Sequence, residues 1–364
     1  MGNRPIMLTI ALVALLAAGV PALCLADADT GAALAYLQTQ QNSDGGFGSG
    51  FSPDSSTGST ADAVLAIVAA GGDPTGFKQG ANTPASYLAA HAAADAIGGD
   101  VAKLILAAVA LGQDPRMFGG VDLVARLEGM AGDGGKIGVE ADTLVGHSLA
   151  VLALKSTQRP IPAAAVEYIR VSQQENGAWA WDGTDETPGD TNTTAFAVQA
   201  LVAAGEDAGD DAVSQALAHF ASVQNDDGGW PYQKPSAYGT DTDSNSTAVT
   251  MQAIIAVDQD PAGDDWAAAE GRAPLAALEA FQNESGAFAW QAAVPDDNLL
   301  ATVQALPAVA GKAFPFVTMA VGEATGANPD TVPETGGEGI NLTLLLVLAG
   351  AIVAGGGYVL SRKR

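Results

Sequence analysis

The sequence predicts an all-α fold, an α/α toroid of six helix pairs arranged as an inner and an outer ring. Three observations predict it. A pattern of Gln, three residues, Gly, one residue and an aromatic recurs four times between residues 41 and 288. Apolar residues stand seven and four residues before each Gln, which is the spacing of one helix face. A second, more apolar segment rich in Ala, Val and Leu follows each glycine turn.

Each repeated motif ends an amphipathic outer helix at a glycine turn. The four copies are Gln41, Gly45 and Phe47; Gln173, Gly177 and Trp179; Gln224, Gly228 and Trp230; and Gln282, Gly286 and Phe288. In the same register, residues 124–137 form a degenerate copy without the Gln, and residues 87–97 form a weaker one. Six units then begin their turns at residues 41, 91, 131, 173, 224 and 282.

The second segments are the predicted inner helices, because they are the less polar ones. They cover residues 61–70, 104–111, 144–154, 195–204, 248–257 and 299–309. An open solenoid is the competing geometry, but solenoids need polar capping repeats at their ends. No such repeat is recognisable here, so the sequence favours a closed ring over residues 27–320.

Residues 1–26 predict a secretory signal peptide, with Arg4 before an apolar run at residues 6–16 and cleavage between Ala26 and Asp27. The chain has one cysteine, Cys24, and it lies within this segment. The mature protein therefore lacks disulfides, thiolate zinc sites, internal thioesters and thiol nucleophiles.

The other end predicts a surface anchor. Residues 321–337 form a linker that contains Val332-Pro333-Glu334-Thr335-Gly336-Gly337, and residues 338–364 form a transmembrane helix with a basic tail. This arrangement resembles a Gram-positive sortase signal, although Leu is usual where Val332 stands. The resemblance implies that sortase cuts between Thr335 and Gly336 and joins Thr335 to the cell wall. A permanent membrane anchor is the alternative, and both place the body outside the cell.

The net charge of the chain limits the kinds of molecule that it can bind. The chain carries 41 acidic and 15 basic residues, for a formal net charge of −26. Such a surface repels phosphate backbones and anionic headgroups, so nucleic acid is excluded as a partner. We expect a monomer that binds a small molecule or a glycan.

The repeated motif resembles the QW motif of squalene-hopene-type terpenoid cyclases. Their α/α toroid is shared with protein prenyltransferase β subunits, complement thioester domains and cobalamin carriers. The resemblance covers residues 30–316 and implies that the motif Gln and aromatic tie neighbouring helices together. Cobalamin carriers imply that this fold can bind a ligand without reacting with it.

Two inner helices begin with a shared D-x-N-[ST]-T-A segment. Asp190 and Asn192 belong to the first copy, and Asp243 and Asn245 to the second. The segment is similar to the D-x-D-D-T-A motif of type II cyclases, in which the middle Asp protonates the substrate. Asn245 holds that place here, and an amide cannot supply the proton. The segments are therefore candidates for ligand binding, with helix capping as the alternative.

The loops add aromatic and acidic candidates. Trp181, Tyr232 and Trp290 each stand two residues after a motif aromatic, where they can stack on a ligand or pack within the loop. Asp241 and Asp243 alternate as in part of a calcium loop, so calcium is a candidate ion, although no cofactor is required.

These observations predict an exported, surface-anchored toroid that binds a ligand without catalysis. The sequence assigns no catalytic residue, because it lacks the cyclase acid, the zinc ligands of the protein prenyltransferases and the thioester cysteine. One alternative is an extracellular enzyme acting on isoprenoids or polysaccharides through two unassigned carboxylates. Another is a structural or adhesive surface module.

Overall fold

A computed structural model describes residues 28–50, 52–94, 97–269 and 271–322. The predicted signal peptide with Ala26 and Asp27, the sorting residues Pro333, Thr335 and Gly336, and the predicted membrane helix lie outside these residues. Within the described ranges, no helix combines the length and the apolarity that crossing a membrane requires.

Twelve α-helices alternate between an outer and an inner ring in the described chain. The outer helices are α1 (Thr30–Gln40), α3 (Pro84–His91), α5 (Leu123–Glu128), α7 (Ala163–Val171), α9 (Asp211–Val223) and α11 (Pro274–Glu279). The inner helices are α2 (Thr57–Ala69), α4 (Gly98–Ala110), α6 (Leu144–Ser156), α8 (Thr191–Ala204), α10 (Ser244–Ala256) and α12 (Leu299–Val309). Each inner helix packs against the next, and α12 packs back against α2. The predicted α/α toroid of six helix pairs is confirmed.

The last helical unit is also hydrogen-bonded to the start of the first unit. The Gln282 side-chain oxygen accepts from the Asp29 backbone N–H at 2.8 Å, and its Nε2 donates to the Asp29 carbonyl at 2.9 Å. The ring is thus closed by hydrogen bonds as well as by helix packing.

Helix boundaries differ from the prediction at the polar starts of the inner helices. Helices α2, α4, α8 and α10 begin four to six residues earlier than predicted, at Thr57, Gly98, Thr191 and Ser244. The sequence indicates loops there because Ser, Thr, Asn and Gly are poor helix formers. In the structure these residues form the first helical turn and most of them are buried.

A hairpin departs from the all-α expectation. Strands β1 (Phe288–Gln291) and β2 (Val294–Asn298) pair antiparallel across a two-residue connection. Residues 292–293 are both alanine, so the usual Asn-Gly or Asp-Gly turn signal is missing. The hairpin leads directly into α12, whose N-cap is Asn298.

The ring axis beside α10 is filled with side chains. Eleven consecutive residues of α10, from Ser244 to Ile254, are buried. A helix buried on every face has no water-filled channel along any of its sides.

Candidate functional site

The motif glutamines join each turn to the following unit. The amide of each one donates both to its own motif glycine carbonyl and to a backbone carbonyl further along the ring, all within 2.8–3.2 Å. The distant acceptors are Phe77 for Gln41, Ala212 for Gln173, Trp266 for Gln224 and Asp29 for Gln282. One side chain thus satisfies two carbonyls that the turns leave without partners.

Glycine is required at the motif positions for steric reasons. The backbone φ angles of Gly45, Gly177, Gly228 and Gly286 are 90°, 83°, 92° and 87°. A Cβ at Gly228 would lie 2.6 Å from the Arg272 carbonyl oxygen, and one at Gly177 would lie 2.3 Å from that of Gln215. The turn therefore needs glycine both for its left-handed conformation and for its contact with the next unit.

The D-x-N-[ST]-T segments cap two inner helices. The Asp243 carboxyl accepts from the Ser246 backbone N–H at 2.7 Å and from its hydroxyl at 3.0 Å. Asp190 holds Thr193 in the same way, at 2.7 and 2.8 Å. Both carboxyls accordingly serve as N-caps.

The last Thr of each segment fixes a motif aromatic. The Thr247 hydroxyl accepts from the Trp230 backbone N–H at 3.0 Å, and the Thr194 hydroxyl accepts from that of Trp179 at 3.1 Å. These bonds dock the aromatic residue onto the first turn of the inner helix in its own unit.

Tyr232 links the two acidic caps. Its hydroxyl bonds to the Asp190 carboxyl, and its backbone N–H donates to the Asp243 carboxyl. Asp190 is 1% exposed and Asp243 is 2% exposed. Burial raises the pKa of Asp190 to about 6 and that of Asp243 to about 7, against the lowering effect of their hydrogen bonds. Burial, then the charge of Asp190, also raises the pKa of Tyr232.

Stability is expected to fall as the pH rises from about 4 to about 7, because the folded state then retains protons on Asp190 and Asp243 that the unfolded state has released. Above that range both states are ionised and this contribution levels off. Urea unfolding across the range should show a smaller slope in Asp243→Asn. Asp241→Asn, which removes the same charge from an exposed residue, is the matched control, in which the slope due to Asp190 and Asp243 should persist. Stability that rises with pH over this range would contradict the assignment.

The two asparagines of the segments are in different surroundings. The Asn245 Nδ2 donates to the Gln304 side-chain oxygen of α12 at 2.6 Å. Asn192 is 8% exposed, and its Oδ1 has no hydrogen-bond donor among the described residues. Asn245, which stands in the place of the cyclase acid, is therefore engaged in a contact between two inner helices.

The three second aromatics of the loops lie at the end of the barrel where the inner helices begin, here called the N-terminal rim. The Trp181 carbonyl accepts from the first N–H of α6, and the Tyr232 carbonyl accepts from that of α8, both at 2.8 Å. The residue before Trp290 accepts from the Ser244 hydroxyl of α10 at 2.7 Å. Trp181 is 39% exposed, and the other two are half-buried.

The two calcium candidates, Asp241 and Asp243, do not form a common site in the structure. Asp241 is exposed, whereas the carboxyl of Asp243 is buried and occupied by Ser246. Across the described ranges, no group of three acidic, His or Cys side chains has a metal-binding arrangement. Calcium binding stays a prediction for these residues.

The sequence patterns do not reveal one carboxylate that caps a helix of the neighbouring unit. Helix α4 has no side-chain cap of its own. Asp142 instead accepts from the backbone N–H groups of Gly98 and Gly99 at 2.8 and 2.9 Å, and from Val139 at 2.7 Å. The cap lies more than 40 residues away in sequence, so no local spacing rule could identify it.

A histidine takes the place of the docking Thr in unit three. The His147 Nδ1 accepts from the Ile137 backbone N–H at 2.9 Å, and its Nε2 lies 2.9 Å from the Ala165 carbonyl. Burial lowers the pKa of His147, so the ring remains neutral at neutral pH. His147 stands four residues after the N-cap Thr143, as Thr194 and Thr247 stand four residues after Asp190 and Asp243, and this spacing could have aligned it with them.

Family models match two parts of the chain. Residues 133–296 match the squalene-hopene cyclase C-terminal domain, and residues 3–92 match the prenyltransferase alpha-alpha toroid domain. No curated protein matches the sequence. Both models describe domains of α/α toroid proteins, so the matches agree with the helical ring described above.

Solved structures share the fold at low sequence identity. The type II terpene cyclase MstE from Scytonema is 13% identical with a TM-score of 0.56, covering 77% of this chain and 96% of that one. A protein from Actinoplanes is 14% identical with a TM-score of 0.53, covering 78% and 98%. A variant of UGL with dGlcA-Glc-Rha-Glc is 12% identical with a TM-score of 0.54, covering 77% and 94%.

Proposed function

We propose that this chain is an exported toroid, held at the cell surface, that binds a neutral glycan at its N-terminal rim without catalysing a reaction. The observation that carries the proposal is the placement of Trp181, Tyr232 and Trp290 over the starts of three consecutive inner helices. Aromatic faces at a rim suit the apolar faces of sugar rings, while nearby polar groups accept hydroxyl protons.

The charge around Trp181 favours a neutral ligand. Its loop continues through Asp182, Asp185 and Glu186, of which the last two are exposed. Anionic saccharides are repelled by such a loop. The Gln233 side chain donates to the Pro188 and Gly189 carbonyls at 3.2 and 3.1 Å, which holds the loop against the next unit.

Two features support binding over turnover. The carboxyls of Asp190 and Asp243 are buried and used as helix caps, so a substrate cannot reach them in this arrangement. The position that the cyclase motif gives to its acid holds Asn245, whose amide contacts Gln304.

Trp181→Ala is expected to weaken glycan binding about ten-fold, because it removes one stacking face. Because the hydrogen bond from Trp181 to α6 uses its backbone carbonyl, which alanine retains, the variant should stay folded. Calorimetry with neutral cello-, malto- and chito-oligosaccharides measures the effect. Val171→Ala, which removes an exposed side chain at the end of α7, is the control. Equal affinity of both variants for a bound sugar would place the site elsewhere.

A second candidate function is enzymatic. MstE is a type II terpene cyclase, so catalysis occurs on a toroid with this fold, and the UGL structure holds a saccharide. The pKa of about 7 for Asp243 keeps part of its carboxyl protonated at neutral pH, as a general acid requires. Products from squalene, polyprenyl or saccharide substrates that disappear in Asp243→Asn would support this candidate and overturn the binding proposal.

The proposed anchor predicts a wall-bound protein. We expect the chain to remain in the wall fraction after detergent extraction and to be released by muramidase, because sortase would have joined Thr335 to the wall. Thr335→Ala should move the protein to the detergent-soluble fraction. If the unchanged protein is fully extracted by detergent, a permanent membrane anchor replaces the sortase proposal.

A further inference from the structure

A segment after α12 crosses the opposite end of the barrel, where the inner helices end. We call residues 312–322 the C-terminal strap. The Phe314 backbone N–H donates to the Gln199 Oε1 of α8 at 2.9 Å. Further on, the Met319 and Val321 N–H groups donate to the carbonyls of Ser156 and Thr157, at the end of α6, at 2.7 and 3.2 Å. The strap therefore runs from unit six to unit three, across the diameter of the ring.

The strap is held less tightly than the helices that it covers. Phe314, Phe316 and Met319 are half-buried against the core, and the two phenyl rings lie 5.2 Å apart. Leu152 and Leu154 of α6 are 0% and 2% exposed. Segments with partial burial and few backbone hydrogen bonds open at lower free energy than core helices.

Two glutamines occupy matching positions on the neighbouring helices α8 and α10. Gln199 and Gln252 each stand nine residues after the capping Asp of their helix, and they are 0% and 2% exposed. The Gln199 oxygen receives the strap N–H, whereas the Gln252 oxygen has no donor in the described part of the chain. The Gln252 Nε2 reaches the Gln304 carbonyl of α12 at 3.5 Å. A buried acceptor without a donor is costly to keep in a core.

We propose that Gln199 and Gln252, in the C-terminal halves of α8 and α10, form a second binding site, and that the C-terminal strap is the built-in occupant of its Gln199 side. The strap presents an N–H group next to an aromatic ring, and this pairing indicates the ligand class. The ligand is a neutral, flat apolar molecule that carries N–H or O–H donors. It displaces the strap, replaces its hydrogen bond to Gln199 and supplies the donor that Gln252 lacks.

N-phenyl-1-naphthylamine is a suitable probe, because it is neutral, aromatic and carries one N–H, and its fluorescence rises in apolar surroundings. The full chain with Phe314→Ala and Phe316→Ala should bind one probe molecule at least about ten-fold more tightly than the unchanged protein, since the strap competes less well. Thr318→Ala with Ala320→Ser alters only exposed strap residues and should bind like the unchanged protein.

Adding Gln252→Leu to the strap variant tests the site itself. Removal of the unpaired acceptor should leave the fold at least as stable while weakening probe binding about ten-fold. A folded strap variant that binds no probe, or a Gln252→Leu protein that binds it equally well, would overturn the proposal. Trp181→Ala should leave probe binding unchanged, so failure of the glycan proposal is distinguishable from failure of this one.

Hydrogen exchange of the unchanged protein keeps the proposal testable if the strap variants do not fold. The amides of Phe314, Met319 and Val321 should exchange faster than those in the centres of α6 and α8, because the strap opens without global unfolding. Exchange of all these amides at one common rate would show a permanent structural clasp and contradict the proposal.

Discussion

Trp230→Ala is expected to lower the free energy of unfolding by about 3–5 kcal/mol, the usual cost of removing a large buried aromatic side chain. Trp230 is 0% exposed, and its Nε1 donates to the Phe220 carbonyl at 2.8 Å. Its ring also contacts Phe220 and Trp266 edge-on, with centroids 6.5 and 6.0 Å away. The substitution thus empties the space between two units and removes one of the two donors to the Phe220 carbonyl, the other being the Gln224 N–H.

Urea unfolding followed by circular dichroism measures this loss. Trp181→Ala is the matched control, because it removes the same side chain from a position that is 39% exposed. We expect a change of less than about 1 kcal/mol for the control. A Trp230→Ala protein as stable as the control would show that the motif aromatics do not hold the units together.

Asp142→Ala is expected to cost about 3 kcal/mol or more, because it strips three backbone N–H groups of their acceptor at once. Two of these groups belong to Gly98 and Gly99 at the start of α4, which has no other side-chain cap. The glycines of this contact leave little space for compensating groups, since a Cβ on Gly98 would lie 2.8 Å from the Gly138 Cα.

The comparison for Asp142 is Asp122→Ala. The Asp122 carboxyl caps α5 through one bond, to the Ala125 N–H at 2.9 Å, and should cost only about 1 kcal/mol. Denaturation of both variants gives the difference directly. Faster exchange of the first α4 amides in Asp142→Ala alone would locate the damage. Equal losses in the two variants would refute a special role for Asp142.

Much of the fold follows from local sequence rules. The Gln-Gly-aromatic motif and the apolar spacing before it depend on contacts within one helix and one turn, so six helix pairs were predictable. The polar first turns of α8 and α10 were not, because Thr191 and Ser244 are favoured in a helix only by their caps and by burial. The hairpin before α12 lacked a turn signal and was missed for the same local reason.

The candidate site was predictable only in part. Capping by Asp190 and Asp243 stood among the alternatives, since Asp before Ser, Thr and Asn is a common helix start. Their raised pKa values depend on burial within the closed ring, which no spacing reveals. The contacts of Asp142 and Gln199 join residues 43 and 115 positions apart, so they emerge only once the ring has closed.

The hydrogen bonds between Gln282 and Asp29 have a consequence for how the protein loses its structure. In a linear array of repeats, the outermost repeats have one neighbour each and melt from the ends inward. Here the first unit is also the neighbour of the last, so every unit is flanked on both sides. Cutting the chain in a loop between two units, and joining the natural ends, would leave the order of neighbours unchanged. The toroid therefore has a circular architecture, in which the contacts between units do not depend on which loop is cut.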